Sequence, residues 1–270
     1  MRGWFSCDYD PVETIEPGGS VSFQVPNAGW FWDADVEPER PEGAGHALAG
    51  PFEVRGARAG RTLAVRIDEV VPRDWGRTWA DGETFTWALE GDWWRLGERR
   101  VRSAPFLGVI GMPPGEPGEH STTPPRRWGG NIDCTELVVG TTLYLPIPVD
   151  GARLSAGDGH ARQGDGEVSQ LAIEAPMERA RITLSLVDGL ELDNPVARIE
   201  GAWLAFGFDE DLDEAAAEAV DGMLELMGRE LGVERRDALA LASVVVDLHV
   251  TQVVNGVKGV HAVLRDDAIR

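Results

Sequence analysis

Residues 155–167 read SAGDGHARQGDGE. Asp158, His160, Gln163, Asp165 and Glu167 stand there almost only among glycine and alanine. Carboxylates and imidazoles at such close spacing are what a divalent cation takes when thiolates are lacking. Thiolates are lacking here: Cys7 and Cys134 are the only cysteines, too few and too far apart for a disulfide framework or a thiolate zinc site. On an extended segment Asp158 and His160, two residues apart, point to the same side. Glu167 can come round after the turns at Gly164 and Gly166. Taken alone, however, a Gly/Asp-rich stretch reads more simply as an acidic surface hairpin.

A second segment shifts that balance. Gly129-Gly130-Asn131-Ile132-Asp133 is another glycine-prefaced carboxylate, and it leads through a strand-like run into the first motif. His46 lies among small residues before a strand, where its ring would be exposed rather than packed. His120 falls in the Pro-rich stretch 113–128, which is read as an exposed or active-site loop with His120 as a lid residue. His249 and His261 sit on C-terminal strands and are read as structural. Cys134 follows Asp133 and is a conceivable nucleophile, but a small buried residue at a strand start is the simpler reading. Trp30, Trp32, Trp93 and Trp94 suit a pocket lining or an interface.

The elements that must position these groups are mainly β. SVSFQV, TLAVRIDEVV, ETFTWAL, LYLPIPV, QLAIEA and RITLSLV alternate or carry the β-type residues of strands. Their spacing, punctuated by 33 glycines and 17 prolines, predicts a β-sandwich or barrel-like body. Only the last 70 or so residues look helical. There Leu212, Ala216, Val220, Met223, Leu224 and Met227 mark one face of a helix, which Gly228 would stop. VERRDALALASVVVD reads as a second helix, and LHVTQVVNG as a strand ending in an Asn-Gly turn. The expectation is one compact unit: a β-rich part over 1–150, then 151–270 continuing the β body and adding a C-terminal α+β segment.

Composition narrows the partners. A net charge of −21 repels nucleic acid and anionic membranes, so neither is expected as a partner. No apolar run approaches a membrane span, and with no signal-like start the cytoplasm is the expected location. Lys258 is the single lysine and has no Ser- or Cys-bearing partner motif beside it. That disfavours catalysis by a lysine-dependent Cys or Ser nucleophile, of the Cys-Glu-Lys or Ser-Ser-Lys type.

Four segments together, GHALAGPFEVRGARAGRTLAVRI, GVIGMPP, GGNIDCTELVVGTTLYLPIPVDGARLSAGDGHARQGDGEVSQLAIEA and DLHVTQVVNGVKGVHAV, resemble the acetamidase/formamidase family. They occur in the family's order over nearly the whole chain. The segment GWFWDADVEPERPEGAG and the stretch around 81–100 depart from that pattern, so the metal site transfers better than the substrate. The resemblance implies a β-rich, homo-oligomeric enzyme that hydrolyses small aliphatic amides to ammonia and the acid. It also implies a divalent metal, zinc before calcium. Carried onto this chain, it makes His46, Asp133, Asp158 and His160 metal ligands, with Glu167 either ligand or general base. Asp158 and His160 join Glu167 as the catalytic group. Gln163, Asn131 and His46 are candidates for binding the amide, and Gln163 and Asp165 for orienting ligands. Two alternatives stay open: hydrolysis of another C–N bond, in a larger amide or imide, and a non-enzymatic, metal-stabilised binding protein.

Overall fold

The computed structural model describes residues 1–269. In chain order the strands are β1 (Glu13–Ile15), β2 (Gly19–Val25), β3 (Leu48–Val54), β4 (Thr62–Pro72), β5 (Trp75–Ala80), β6 (Glu83–Glu90), β7 (Trp93–Leu96), β8 (Arg99–Arg102), β9 (Phe106–Gly111), β10 (Gly129–Asn131), β11 (Thr142–Pro146), β12 (Leu154–His160), β13 (Met177–Val187), β14 (Val196–Ile199) and β15 (Ala202–Asp209). Helices α1 (Leu212–Leu231) and α2 (Arg235–Val245) follow, then β16 (Val246–Gln252) and β17 (Lys258–Arg265).

The fold is mainly β with a C-terminal helical segment followed by strands, as the alternation predicts. One five-stranded sheet runs β1-β3-β12-β9-β10, and one eight-stranded sheet runs β16-β17-β15-β14-β11-β4-β13-β2. A four-stranded meander, β5 to β8, stands beside them. The two larger sheets share one core, to which β3 gives Phe52 and Val54, β12 gives Leu154 and Ala156, and β4 gives Leu63, Val65 and Ile67.

The eight-stranded sheet is buried on both faces at its C-terminal strands, and the sequence alternation sorts the two. Leu204, Phe206 and Phe208 of β15 face the inter-sheet core, whereas Ala205 faces a second core with Ala215, Ala219, Met223 and Met227 of α1. Met223 and Met227 are thus packing residues, as expected. Helix α1 is capped by Asp211, whose side chain accepts from the Asp213 amide. It runs past Gly228 and ends at Gly232, which adopts the left-handed conformation (φ 68°) that a C-terminal cap requires.

Other expectations need correction. QLAIEA is not a strand: Glu174 makes only isolated bridges, to Arg77 of β5 on one side and His160 of β12 on the other. A one-residue seam therefore joins the meander to the five-stranded sheet. Trp94 lines neither pocket nor interface, being fully buried with its indole N–H donated to Ser103. His120 is no lid: its backbone is hydrogen-bonded to Phe5 in both directions. Among the described residues no helix is long and apolar enough to cross a membrane.

Candidate functional site

The segment SAGDGH is β12, buried along its whole length between β3 and β9. The surface-hairpin reading of these residues therefore fails. The glycines serve close packing rather than flexibility: a Cβ on Gly157 would lie 2.2 Å from the Ala47 carbonyl oxygen, and one on Gly159 would lie 2.4 Å from the Met177 side chain. Opposite Asp158, on β9, stands Gly108. A Cβ there would lie 2.5 Å from Asp133 Oδ1, 2.7 Å from Asp158 Oδ2 and 2.8 Å from His160 Cε1. The space kept clear by this glycine is the heart of the site.

Asp133, Asp158 and His160 border that space, and Glu167 and Glu174 group with His160 to complete a cluster of five ionisable side chains, each at most 6% exposed. Three of their backbones are left-handed, at Asp133 (φ 54°), Asp158 (φ 58°) and Glu167 (φ 45°). Such conformations cost of order 1–3 kcal/mol each for non-glycine residues and persist where the surroundings over-determine them. Asp158 and His160 do meet, but through this kink rather than through regular alternation.

The imidazole is oriented by a relay. Gln163 Nε2 donates to the Asp133 carbonyl (2.8 Å), which turns Gln163 Oε1 toward His160 Nδ1 at 2.9 Å. Nδ1–H is the donor, and Nε2 is left facing the carboxylates. It lies 3.3 Å from Asp158 Oδ2, 3.3 Å from Glu174 Oε1 and 3.9 Å from Asp133 Oδ1. Ligands held about 2.1 Å from a tetrahedral cation stand about 3.4 Å apart, so these separations suit a shared ion as well as an ion pair. Two overlapping sets, Asp133–Asp158–His160 and His160–Glu167–Glu174, have all their donor atoms mutually within 4.8 Å.

Electrostatics mark the cluster as short of positive charge. Burial pushes Asp133 and Glu174 well above the carboxylate range, reinforced by neighbouring carboxylates. Burial likewise pushes Glu167 up to about 7. Burial disfavours the His160 cation, but Glu174 and Asp158 outweigh it and raise the imidazole well above its ordinary value. The charge of His160 also holds Asp158 low, against the effect of burial. The Asp158 and Glu174 carboxyls are within hydrogen-bonding reach of each other, which requires a proton or a cation between them. Asp133 Oδ1, Asp158 Oδ1 and Glu174 Oε2 are buried with no donor. Oxygens of this kind, beside one imidazole and around a space only glycine leaves free, fit a divalent cation.

Several expected site residues fall differently. Gln163 uses its Oε1 and one amide N–H in the relay, so it positions His160, and it has a second N–H beyond those two bonds. Asp165 points away from the cluster, to Thr135 and His249. His46 hydrogen-bonds Thr122 through its ring Nδ1 (2.9 Å) and is half-buried. It is close enough for its charge to act on Asp158, yet it belongs to neither three-ligand set. Asn131, at the end of β10, is buried with its Oδ1 lacking a donor. Two participants escaped sequence reading. Glu174 is hidden in an apolar run, and an acid between isoleucine and alanine was the available signal. Asn255, read only as a turn residue, donates to Asp133 Oδ2 (2.7 Å).

A groove of about 590 Å³ reaches the cluster. Glu167 lines it together with Gln163, Trp87, Trp93 and Arg100, whereas the other four members of the cluster do not. Glu167 is thus the carboxylate that faces both the buried space and the outside.

A β-rich body with a buried carboxylate–imidazole centre suited to a divalent cation is the class of protein that fold and site define. Residues 117–264 match the model of the Acetamidase/Formamidase family, and the chain belongs to that family. The acetamidase of Mycolicibacterium smegmatis is 48% identical over 48 residues, which are 18% of this chain and 12% of that protein. The matched part is thus a small share of that relative's length. Among solved structures, an acetamidase from Bacillus halodurans superposes with a TM-score of 0.89 at 26% identity, over 98% of this chain and 94% of that one. A protein from Thermoanaerobacter tengcongensis, described as a predicted acetamidase/formamidase, has the same fold (TM-score 0.90, 24% identity, 98% and 93% covered).

Proposed function

We propose that the chain hydrolyses a small aliphatic amide, of the formamide or acetamide kind, to ammonia and the carboxylic acid, using a divalent cation, zinc, held at the buried cluster. The observation that carries this reading is the buried cluster of four carboxylates around one imidazole, with Asp133, Asp158 and His160 bordering the space left by Gly108 and Glu167 alone of the five reaching the groove. Family membership supplies the substrate class.

Amide hydrolysis needs an activated nucleophile, support for the oxyanion and a proton for the departing nitrogen. A zinc ion at the cluster would supply the Lewis acidity that activates water and polarises the carbonyl. Asp133, Asp158 and His160 would hold the ion. Gln163 keeps the His160 Nε2 lone pair turned inward, and Asn255 fixes one oxygen of Asp133. Glu167 is the general base. It takes a proton from water as the new C–O bond forms and returns it to nitrogen as the C–N bond breaks. Asn131 Oδ1 accepts from the substrate N–H. His46, outside both ligand sets but near enough for its charge to act on Asp158, would contact the amide rather than the ion.

Cys134 takes no part. Burial and the nearby Glu136 push its thiol well above the ordinary range, the reverse of what a nucleophile needs. The size of the groove, with Trp87 and Trp93 on its wall, favours as a second reading a larger amide at the same centre.

Replacement of Glu167 by Gln tests the assignment. An enzyme loses turnover at least a hundredfold while its far-UV spectrum and bound zinc persist; a purely structural site shows no turnover in the wild type for the substitution to remove. A panel of amides from formamide upward separates the two substrate readings. The homo-oligomer and the cytoplasmic location belong to the same proposal, and light scattering of the purified chain checks the former.

A further inference from the structure

Beside the buried cluster lies a second group of donors, Glu136, Asp165, His249 and His261, whose ligand atoms are all within 4.8 Å of one another. His249 and His261 are cross-strand partners on β16 and β17, so both rings emerge on the same face. They stack at 5.1 Å with planes only 11° apart. The carboxylates arrive from two loops, Glu136 from the turn after Asp133 and Asp165 from the turn before Glu167.

The hydrogen bonds around this group do not close. His261 is fully buried, and its Nε2 has no hydrogen-bond partner. Its Nδ1 is engaged by Thr251 Oγ1 (2.8 Å), which leaves Nε2 directed at Glu136 Oε2, 3.6 Å away. That distance is too long for a hydrogen bond. His249 Nδ1 stands 3.1 Å from Asp165 Oδ2. The two spacings bracket the roughly 3.4 Å that separates ligands of one tetrahedral zinc. Thr135 has one hydroxyl proton for both Glu136 Oε2 (2.9 Å) and Asp165 Oδ1 (3.0 Å), and the further donors to these carboxylates are the Cys134 thiol, 3.1 Å from Glu136 Oε2, and His249.

We propose that Glu136, Asp165, His249 and His261 form a second divalent-cation site of the zinc class, distinct from the buried cluster. Two imidazoles with two carboxylates suit zinc or cobalt rather than calcium or magnesium, which take all-oxygen shells. The ion would tie three segments together: the turn carrying Asp133 and Glu136, the loop carrying Gln163, Asp165 and Glu167, and the β16–β17 hairpin. Two of these also build the buried cluster, so the second ion would fix the loops on which that cluster depends.

The test is a zinc count that does not rely on turnover. The full chain is stripped with chelator, reloaded with Zn²⁺, desalted and assayed by mass spectrometry. The double variant His249→Ala/Asp165→Asn should hold one zinc fewer per chain than the wild type. Asp158→Asn, which disables the buried cluster, should keep the zinc that the double variant lacks, so failure here is distinguishable from failure of the amidase reading. Wild-type crystals soaked in zinc and measured on both sides of its absorption edge need no variant. An anomalous peak about 2 Å from His261 Nε2 is expected. Equal zinc counts in wild type and double variant, no peak at His261, or a peak only above millimolar zinc would overturn the proposal.

Discussion

Glu167 offers a sharp test of the buried cluster, because its charge is costly in the cation-free protein and that cost depends on pH. Burial pushes its carboxyl from an ordinary 4.5 up to about 7. The unfolded chain therefore ionises this group first, and between those two values the folded state holds more protons. Stability contributed by the protonated group is complete below the unfolded value and is lost as pH rises through the folded one. The interval corresponds to roughly 3 kcal/mol at 1.36 kcal/mol per unit, or on the order of 5–10 °C in melting temperature for a chain of this size. Glu167→Gln removes the ionisation and keeps the shape. After chelator stripping, wild type and variant should be about equally stable near pH 5, and the variant should be the more stable at pH 8 by about that margin. Asp133 and Glu174 are raised partly by the Glu167 charge, so the variant loses that part of their slope as well, and the difference reads Glu167 together with its coupling to these two. With zinc restored the order should reverse, since a cation favours the ionised carboxylate. Denaturant unfolding at the two pH values reads all of this. A wild-type–variant difference that is the same at pH 5 and pH 8 would refute the reasoning.

Two further substitutions probe the geometry. Gly108→Ala places a methyl group among Asp133, Asp158 and His160; it should weaken zinc binding at least tenfold by calorimetry and abolish turnover while β9 still folds. Cys134→Ala should leave kcat within a factor of two, and the wild-type thiol should resist aromatic disulfide reagents until the protein unfolds, because it is fully buried.

Much of the fold is legible in the chain because burial on one or both faces writes a period into it. The alternation of TLAVRIDEVV survives as β4, and the 3.6-residue stripe around Met223 survives as α1. Legibility fails where one residue has two physical uses. Glycine allows both an exposed turn and the tight contact of buried strands, so SAGDGH looks like a hairpin and is a core strand. Gly228 and Gly232 are equally plausible helix stops in sequence, and the left-handed backbone chooses the second. Asp158, His160 and Glu167 are legible because donor types cluster in sequence, and Asp133 as a second carboxylate prefaced by glycines, whereas their roles rest on the family resemblance. Glu174 and Asn255 reach the same point from a seam and a hairpin loop, and contacts of that kind leave no local spacing to read. Asp165, two residues from Glu167, leaves the cluster because the turn at Gly166 (φ 91°) sends the two side chains apart.

The central claim is that a cation held by the buried cluster hydrolyses a small amide. Ammonia release from formamide and acetamide by the purified chain, before chelator, after it, and with zinc added back, tests this most directly. Release that is abolished by chelator and restored by zinc is the expected result. Release that survives complete removal of metal, or no release from any amide by protein shown to carry zinc at Asp158 and His160, would contradict it.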